Sequence, residues 1–162
     1  KYFGATVIAT GSSPESIENC KKAGSDLVIG HPSDDTAAEI LDFTNGKKVD
    51  RVVDGDFGIN LLPVLSVLKT SGTIATYSSM TDMNPTIPFV RMMFMDITIK
   101  MVLVYAMPWE AKQQAMKNIT TILTNEKFDH RVAATFPLEQ SAKAHEEIEK
   151  SNNYGSVIIT VN

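Results

Sequence analysis

Cysteine is nearly absent: the 162 residues contain only Cys20. An internal disulfide is therefore excluded, and a reducing compartment, the cytoplasm, is the expectation. Apolar runs are short. None approaches the roughly 20 residues that span a bilayer, and no secretory leader opens the chain, so no membrane partner is expected. The formal charge is -4 and Lys and Arg are nowhere clustered, which argues against a general nucleic-acid partner. His31, His130 and His145 lie far apart in sequence, and no HxxxH or CxxC spacing exists, so no metal site is expected. A GxSxG elbow is missing too, His145 reads as a packing or surface residue, and no catalytic residue is assigned. No GxGxxG, GxxGxxG or GxxxxGK[ST] occurs, so these residues alone cradle no diphosphate. Disorder is not the default with 43% hydrophobic and 21% charged residues, an ordinary globular composition.

What is there begins with ATVIATGSSPESIENCKKAGSDLVIGH, residues 5–31. Ala5 to Thr10 is rich in β-branched residues and stops at Gly11, as a buried strand does. Ser13 before Pro14 can cap a helix whose first residue needs no free N–H. Lys21 and Lys22 fall in its last turn, Gly24 supplies the left-handed stop, and Leu27 to Ile29 is the next strand. Such a βαβ unit places ligands at the carboxyl ends of its strands, where Gly11, Ser12, Ser13 and His31 stand. Ser12 and Ser13 occupy the place of a ribose-binding carboxylate, and hydroxyls there suit a 2′-phosphate.

The alternation continues. A helix capped by Asp34 or Asp35 carries Ala38, Ile40 and Leu41 inward and ends at Asn45 and Gly46. Val49 to Asp54 reads as a strand. Gly58 to Leu68 reads as a helix with Leu61, Leu62, Leu65 and Leu68 at helical spacing and Pro63 near its first turn. Thr73 to Tyr77 is a strand, and Pro85 and Pro88 forbid a long element in the methionine-rich stretch that follows. Those methionines read mainly as core beneath a loop. Ile97 to Tyr105 is the longest strand candidate. A helix from Trp109 to about Leu123, a strand at Arg131 to Phe136, a helix at Leu138 to Lys150 and a strand at Ser156 to Val161 complete the chain. The expected fold class is α/β, a doubly wound parallel sheet. Asp54, ending a strand, lacks the acidic pair that a phosphoacceptor would need for Mg²⁺, and reads as the cap of the following turn.

Four segments in order carry a resemblance: GATVIATGSSPESIENCKKAGSDLVIGH, KVDRVVDGDFG, LKTSGTIATYSS and FPLEQSAKAHEEIEKSNNYGSVIITVN. Together they resemble the medium-chain dehydrogenases, in particular the zinc-less quinone oxidoreductase branch. The resemblance implies a Rossmann-like dinucleotide domain over residues 1–128 and, over 129–162, a segment returning to a GroES-like catalytic domain. It implies NADPH as cofactor. Carried over by position, Ser12, Ser13 and His31 surround the adenosine 2′-phosphate, although the family often has Lys where Ser16 stands and Tyr where His31 stands. Gly55 approaches the cofactor, Tyr77 and Ser78 close over the nicotinamide side, Val102 to Val104 offer backbone groups to the carboxamide, and Asn152 or Asn153 reaches a phosphate or ribose.

The resemblance also implies what precedes residue 1: the first strand with its glycine-rich turn, and a catalytic domain. Lys1 to Gly4 reads as the tail of an earlier helix. Without that central strand the sheet is expected to break in its middle, and residues 1–162 alone are not expected to be a competent enzyme. The leading expectation is the cofactor-binding portion of an NADPH-dependent oxidoreductase moving hydride to a small quinone or activated alkene (an enone). The alternatives are a zinc-dependent alcohol dehydrogenase and a non-catalytic nucleotide-binding or interaction module. A homodimer is expected through Ile97 to Tyr105, an outer strand protected only by Lys100, to be weakened by a proline at Leu103.

Overall fold

The computed structural model describes residues 1–31, 33, 35–125, 131–150 and 155–161. The chain divides into two compact units, Lys1–Met116 and Lys117–Asn162. The first opens with a turn, in which the Gly4 N–H donates to the Lys1 carbonyl at 2.8 Å. Strand β1 (Ile8–Gly11), helix α1 (Pro14–Lys22) and strand β2 (Leu27–Gly30) follow. β1 and β2 pair in parallel from Ile8 opposite Leu27 to Gly11 opposite Gly30. α1 starts where Ser13 caps it and stops before Gly24, whose φ is +86°, a conformation that costs glycine nothing. Ser16 joins the cap: its N–H donates to Ser13 Oγ at 3.0 Å and its Oγ accepts the Ser13 N–H at 2.9 Å, so two otherwise orphaned donors are satisfied reciprocally.

Helix α2 (Thr36–Phe43) leads to strand β3 (Val49–Asp54), helix α3 (Phe57–Val67), strand β4 (Leu68–Thr76), the short helix α4 (Phe89–Phe94) and strand β5 (Thr98–Met101). Asp35 is the N-terminal cap residue of α2 but makes no side-chain capping bond; Asp34 lies outside the described residues. β3, β4 and β5 form a parallel sheet in that order, separate from the β1–β2 pair. Among the described residues β1 and β3 thus each keep one unpaired edge, the break expected of a doubly wound sheet without its central strand. The core gathers where α3 lies on this sheet: Phe57, Leu61, Leu65, Leu68, Ile74 and Met92 are buried together.

Several elements depart from the sequence reading. Pro63 sits in the middle of α3, not in its first turn, and Leu62 faces out, 57% exposed, because it falls off the Leu61, Leu65 and Leu68 stripe. Ala38 is exposed in α2. Of the methionines, Met92 is buried while Met80, Met83 and Met93 are exposed. The outer strand is shorter than Ile97 to Tyr105: after Met101 only the Val102 N–H still reaches β4, donating to the Thr76 carbonyl at 2.7 Å. β4 ends at Thr76, so no partner remains for Leu103, and Val104–Ala106 turns into a 3₁₀ helix.

Helix α5 (Trp109–Asn125) runs from the first unit into the second. Ala115 and Ile122 are partly buried in it, while Ile119 and Leu123 are exposed. In the second unit strand β6 (Val132–Pro137) pairs in parallel with strand β7 (Ser156–Thr160), joined through a 3₁₀ turn (Leu138–Gln140) and helix α6 (Ser141–Ile148). Among the described residues no helix is long and apolar enough to cross a membrane.

Candidate cofactor-binding site

Parallel pairing brings the carboxyl ends of β1 and β2 to one rim, and a cleft of about 450 Å³ opens there. Gly11 and Gly30 form its floor, with the start of α1 on one side. The His31 N–H donates to the Gly11 carbonyl at 2.8 Å, holding the two strand ends together. Gly11 is buried, and a Cβ on it would lie 2.8 Å from Ser16 Oγ and 2.9 Å from the Ile17 backbone nitrogen. No other residue type fits, so position 12 is the first after the strand that can present a side chain to the cleft.

Ser12, Ser13 and His31 all line this cleft, but they are not equivalent. The Ser13 hydroxyl accepts the Ser16 N–H and lies 3.2 Å from Ser16 Oγ, so it is engaged as a helix cap. Ser12 is exposed, and its hydroxyl has no partner among the described residues. Sequence reasoning missed Ser33 and Glu39, which line the same cleft. Ser33 Oγ accepts the Asp35 N–H at 3.2 Å, and Glu39 lies in the first turn of α2. The signal was available: a first-turn residue of the helix after β2 must stand at the same rim as the end of β2.

A second group forms at the carboxyl ends of β3, β4 and β5. A Cβ on Gly55 would meet the Tyr77 hydroxyl at 3.0 Å, so these two positions adjoin. The Tyr77 N–H donates to the Asp54 carbonyl at 3.4 Å and the Phe57 N–H to the Ser78 carbonyl at 3.0 Å. Asp54 is buried; its Oδ1 accepts the Asp56 N–H at 2.7 Å and lies 3.3 Å from Asn60 Nδ2. It therefore fixes the turn into α3. Asp56 in turn accepts from the Thr81 N–H at 3.2 Å and from the Thr81 hydroxyl. Ser79 Oγ accepts the Gly58 N–H at 2.9 Å, at a place where a Cβ on Gly58 would lie 2.7 Å from Asp82. The loops after β3 and β4 are thus laced into one surface. Val102 stands at its edge with its N–H already engaged by β4, so its carbonyl is what it can offer a ligand, and Val104 is exposed. Asn152 and Asn153 lie outside the described residues. No cluster of three or more His, Cys, Asp and Glu suited to a metal is found among the described residues.

Residues 1–121 match the family described as zinc-binding dehydrogenase. A 2-haloacrylate reductase from a Burkholderia species is 30% identical over 98% of this chain and 49% of its own length. The chain thus spans about half the length of that relative. Among solved structures, an NAD-dependent alcohol dehydrogenase superposes with a TM-score of 0.79 at 25% identity, covering 99% of this chain and 45% of the other. A mycobacterial protein complexed with NADPH superposes with a TM-score of 0.78 at 23% identity, covering 99% and 51%; at that identity it speaks for the fold alone. With the family matched over most of its residues, this chain belongs to the zinc-binding dehydrogenase family of the medium-chain dehydrogenase/reductase superfamily.

Proposed function

We propose that this chain is the cofactor-binding portion of an NADPH-dependent oxidoreductase that reduces an activated alkene or a quinone. One observation carries the cofactor choice: the strand-end cleft has no room for a side chain at Gly11 and presents next a free hydroxyl, Ser12, where a carboxylate would repel a 2′-phosphate. When bound, the cofactor supplies hydride. The chain's own groups bind and orient: Ser12 and His31 at the adenosine end, with Ser13 holding α1 in place. At the nicotinamide end stand the Gly55 backbone, Tyr77, Ser78, the Val102 carbonyl and Val104. The resemblance adds Asn153 for a phosphate or ribose. The acceptor is inferred from the Burkholderia relative, whose name is that of a reductase of an electron-poor alkene. We assign residues 1–128 to the dinucleotide domain and 129–162 to the return to a catalytic domain.

The test is made on the full-length protein. It should oxidise NADPH when given an alkene conjugated to a carbonyl, or a benzoquinone, at a rate untouched by a metal chelator. Oxidation of simple alcohols that a chelator abolishes would favour the zinc-dependent alternative. Nucleotide binding without turnover of either kind would favour a non-catalytic module.

We further propose that the protein is a homodimer joined at β5. This strand is the outer one of its sheet, and exposed apolar residues continue from its end: Met101, Leu103, Val104 and Tyr105. Because the Val102 N–H points to β4 and strand residues alternate, the polar groups of Ile99 and Met101 face the open edge. Proline is therefore placed at Met101, since Leu103 lies beyond the ladder. Met101→Pro should remove one donor from that edge, leave the β4 bonds intact and raise the dimer dissociation constant at least tenfold, on the scale of about 1.4 kcal/mol. Sedimentation equilibrium reads this directly, and an unchanged dimer would place the interface elsewhere.

A further inference from the structure

A ribose 2′-phosphate is close to a dianion at neutral pH, and a site that prefers it ordinarily supplies cations. In the cleft at the ends of β1 and β2 no Lys or Arg is found among the described lining residues. Its donors are the Ser12 hydroxyl, the His31 side chain and the Ser33 hydroxyl, whose oxygen already accepts the Asp35 N–H. Against them stands Glu39, exposed on the first turn of α2, with no cation pairing it among the described residues. Its carboxylate cannot donate to a phosphate, yet it can accept from the free 2′-hydroxyl of an unphosphorylated ribose.

We propose that Glu39 is a specificity-determining residue of this cleft: it opposes the 2′-phosphate that Ser12 and His31 admit, and so holds the preference for NADPH over NADH to a small factor. This rests on the cofactor reading above. Coulomb repulsion falls with distance and doubles for a dianion. For a carboxylate about 8 Å from the phosphate, at an ionic strength of about 0.01 M where screening is weak, it amounts to about fivefold in affinity.

The experiment uses adenosine 2′,5′-bisphosphate and adenosine 5′-monophosphate, which differ only in the 2′-phosphate, titrated calorimetrically into the full-length protein. Glu39→Gln should tighten the bisphosphate about fivefold and leave the monophosphate within about twofold; Glu39→Lys should tighten the bisphosphate further. The gain should shrink towards nothing at about 1 M salt, where the Debye length is about 3 Å, a dependence that a merely structural role for Glu39 would not show. If both nucleotides bind and neither variant changes their ratio, Glu39 is not the determinant. If neither nucleotide binds the unsubstituted protein, the cofactor reading fails and this inference fails with it.

Discussion

Ser12→Asp should reverse the cofactor preference of the full-length protein, weakening NADPH by roughly thirtyfold while leaving NADH unchanged or improved. The size follows from placing a carboxylate about 4 Å from a phosphate dianion, roughly 2 kcal/mol of repulsion in a solvated cleft. The direction follows from the local geometry. Gly11 cannot carry a side chain, because α1 packs onto it with Ser16 Oγ only 2.8 Å from where a Cβ would be. A selecting group at the end of β1 must therefore come from position 12. Ser13→Ala is the instructive contrast, since the Ser13 hydroxyl accepts the Ser16 N–H at 3.0 Å and caps α1. Its loss should cost about 1 kcal/mol of stability and change the ratio of NADPH to NADH affinity little. Dissociation constants for both cofactors, with unfolding curves for both variants, separate the two serines. An unchanged ratio in Ser12→Asp would remove Ser12 from the adenosine site.

The opening βαβ unit was legible because its boundaries are written in local chemistry. Ser13 with Pro14 starts α1, Gly24 stops it, and Val49 to Asp54 is the strand the residues suggest. The grouping of the candidate residues was legible where they stand on strand ends: Ser12, Ser13 and His31 line one cleft, and Gly55 adjoins Tyr77. What escaped depends on partners distant in sequence. β5 stops at Met101 because β4 stops at Thr76, which no property of Ile97 to Tyr105 discloses. The bonds from Thr81 to Asp56 cross 25 residues, so the lacing of the two loops leaves no periodic trace. Glu39 is not among the candidate residues the sequence names, although its place in the first turn of the helix after β2 sets it at the rim of the cleft. Pro63 lies in the middle of α3, which begins at Phe57, so proline's tolerance in a first turn does not locate it.

Leu65→Ala should be the most destabilising of the single core truncations, costing about 3–4 kcal/mol of the roughly 5–15 kcal/mol that holds a domain together. Leu65 is 0% exposed and shares the core beneath α3 with Phe57, Leu61, Leu68, Ile74 and Met92. Truncation removes its apolar transfer energy and leaves a void walled by side chains fixed on three different elements, α3, β4 and α4, which cannot all close in. Leu62→Ala is the matched control. It lies three residues earlier on the same helix, is 57% exposed, and should cost less than about 1 kcal/mol. The pair tests the helical phase directly, because the three leucines of α3, Leu61, Leu62 and Leu65, are the same residue type and differ only in the face they occupy. Urea unfolding of the full-length protein should show a lower midpoint for Leu65→Ala and nearly the parent midpoint for Leu62→Ala, with similar slopes. The consequence reaches the site. α3 begins at the turn that Asp54 holds, and in its first turn the Gly58 N–H donates to Ser79 Oγ. Loosening α3 should therefore weaken cofactor binding at the nicotinamide end more than that of adenosine 5′-monophosphate, whose cleft is built from β1, α1, β2 and the first turn of α2. Equal losses for cofactor and monophosphate would mean that the two strand-end groups do not respond independently to the core.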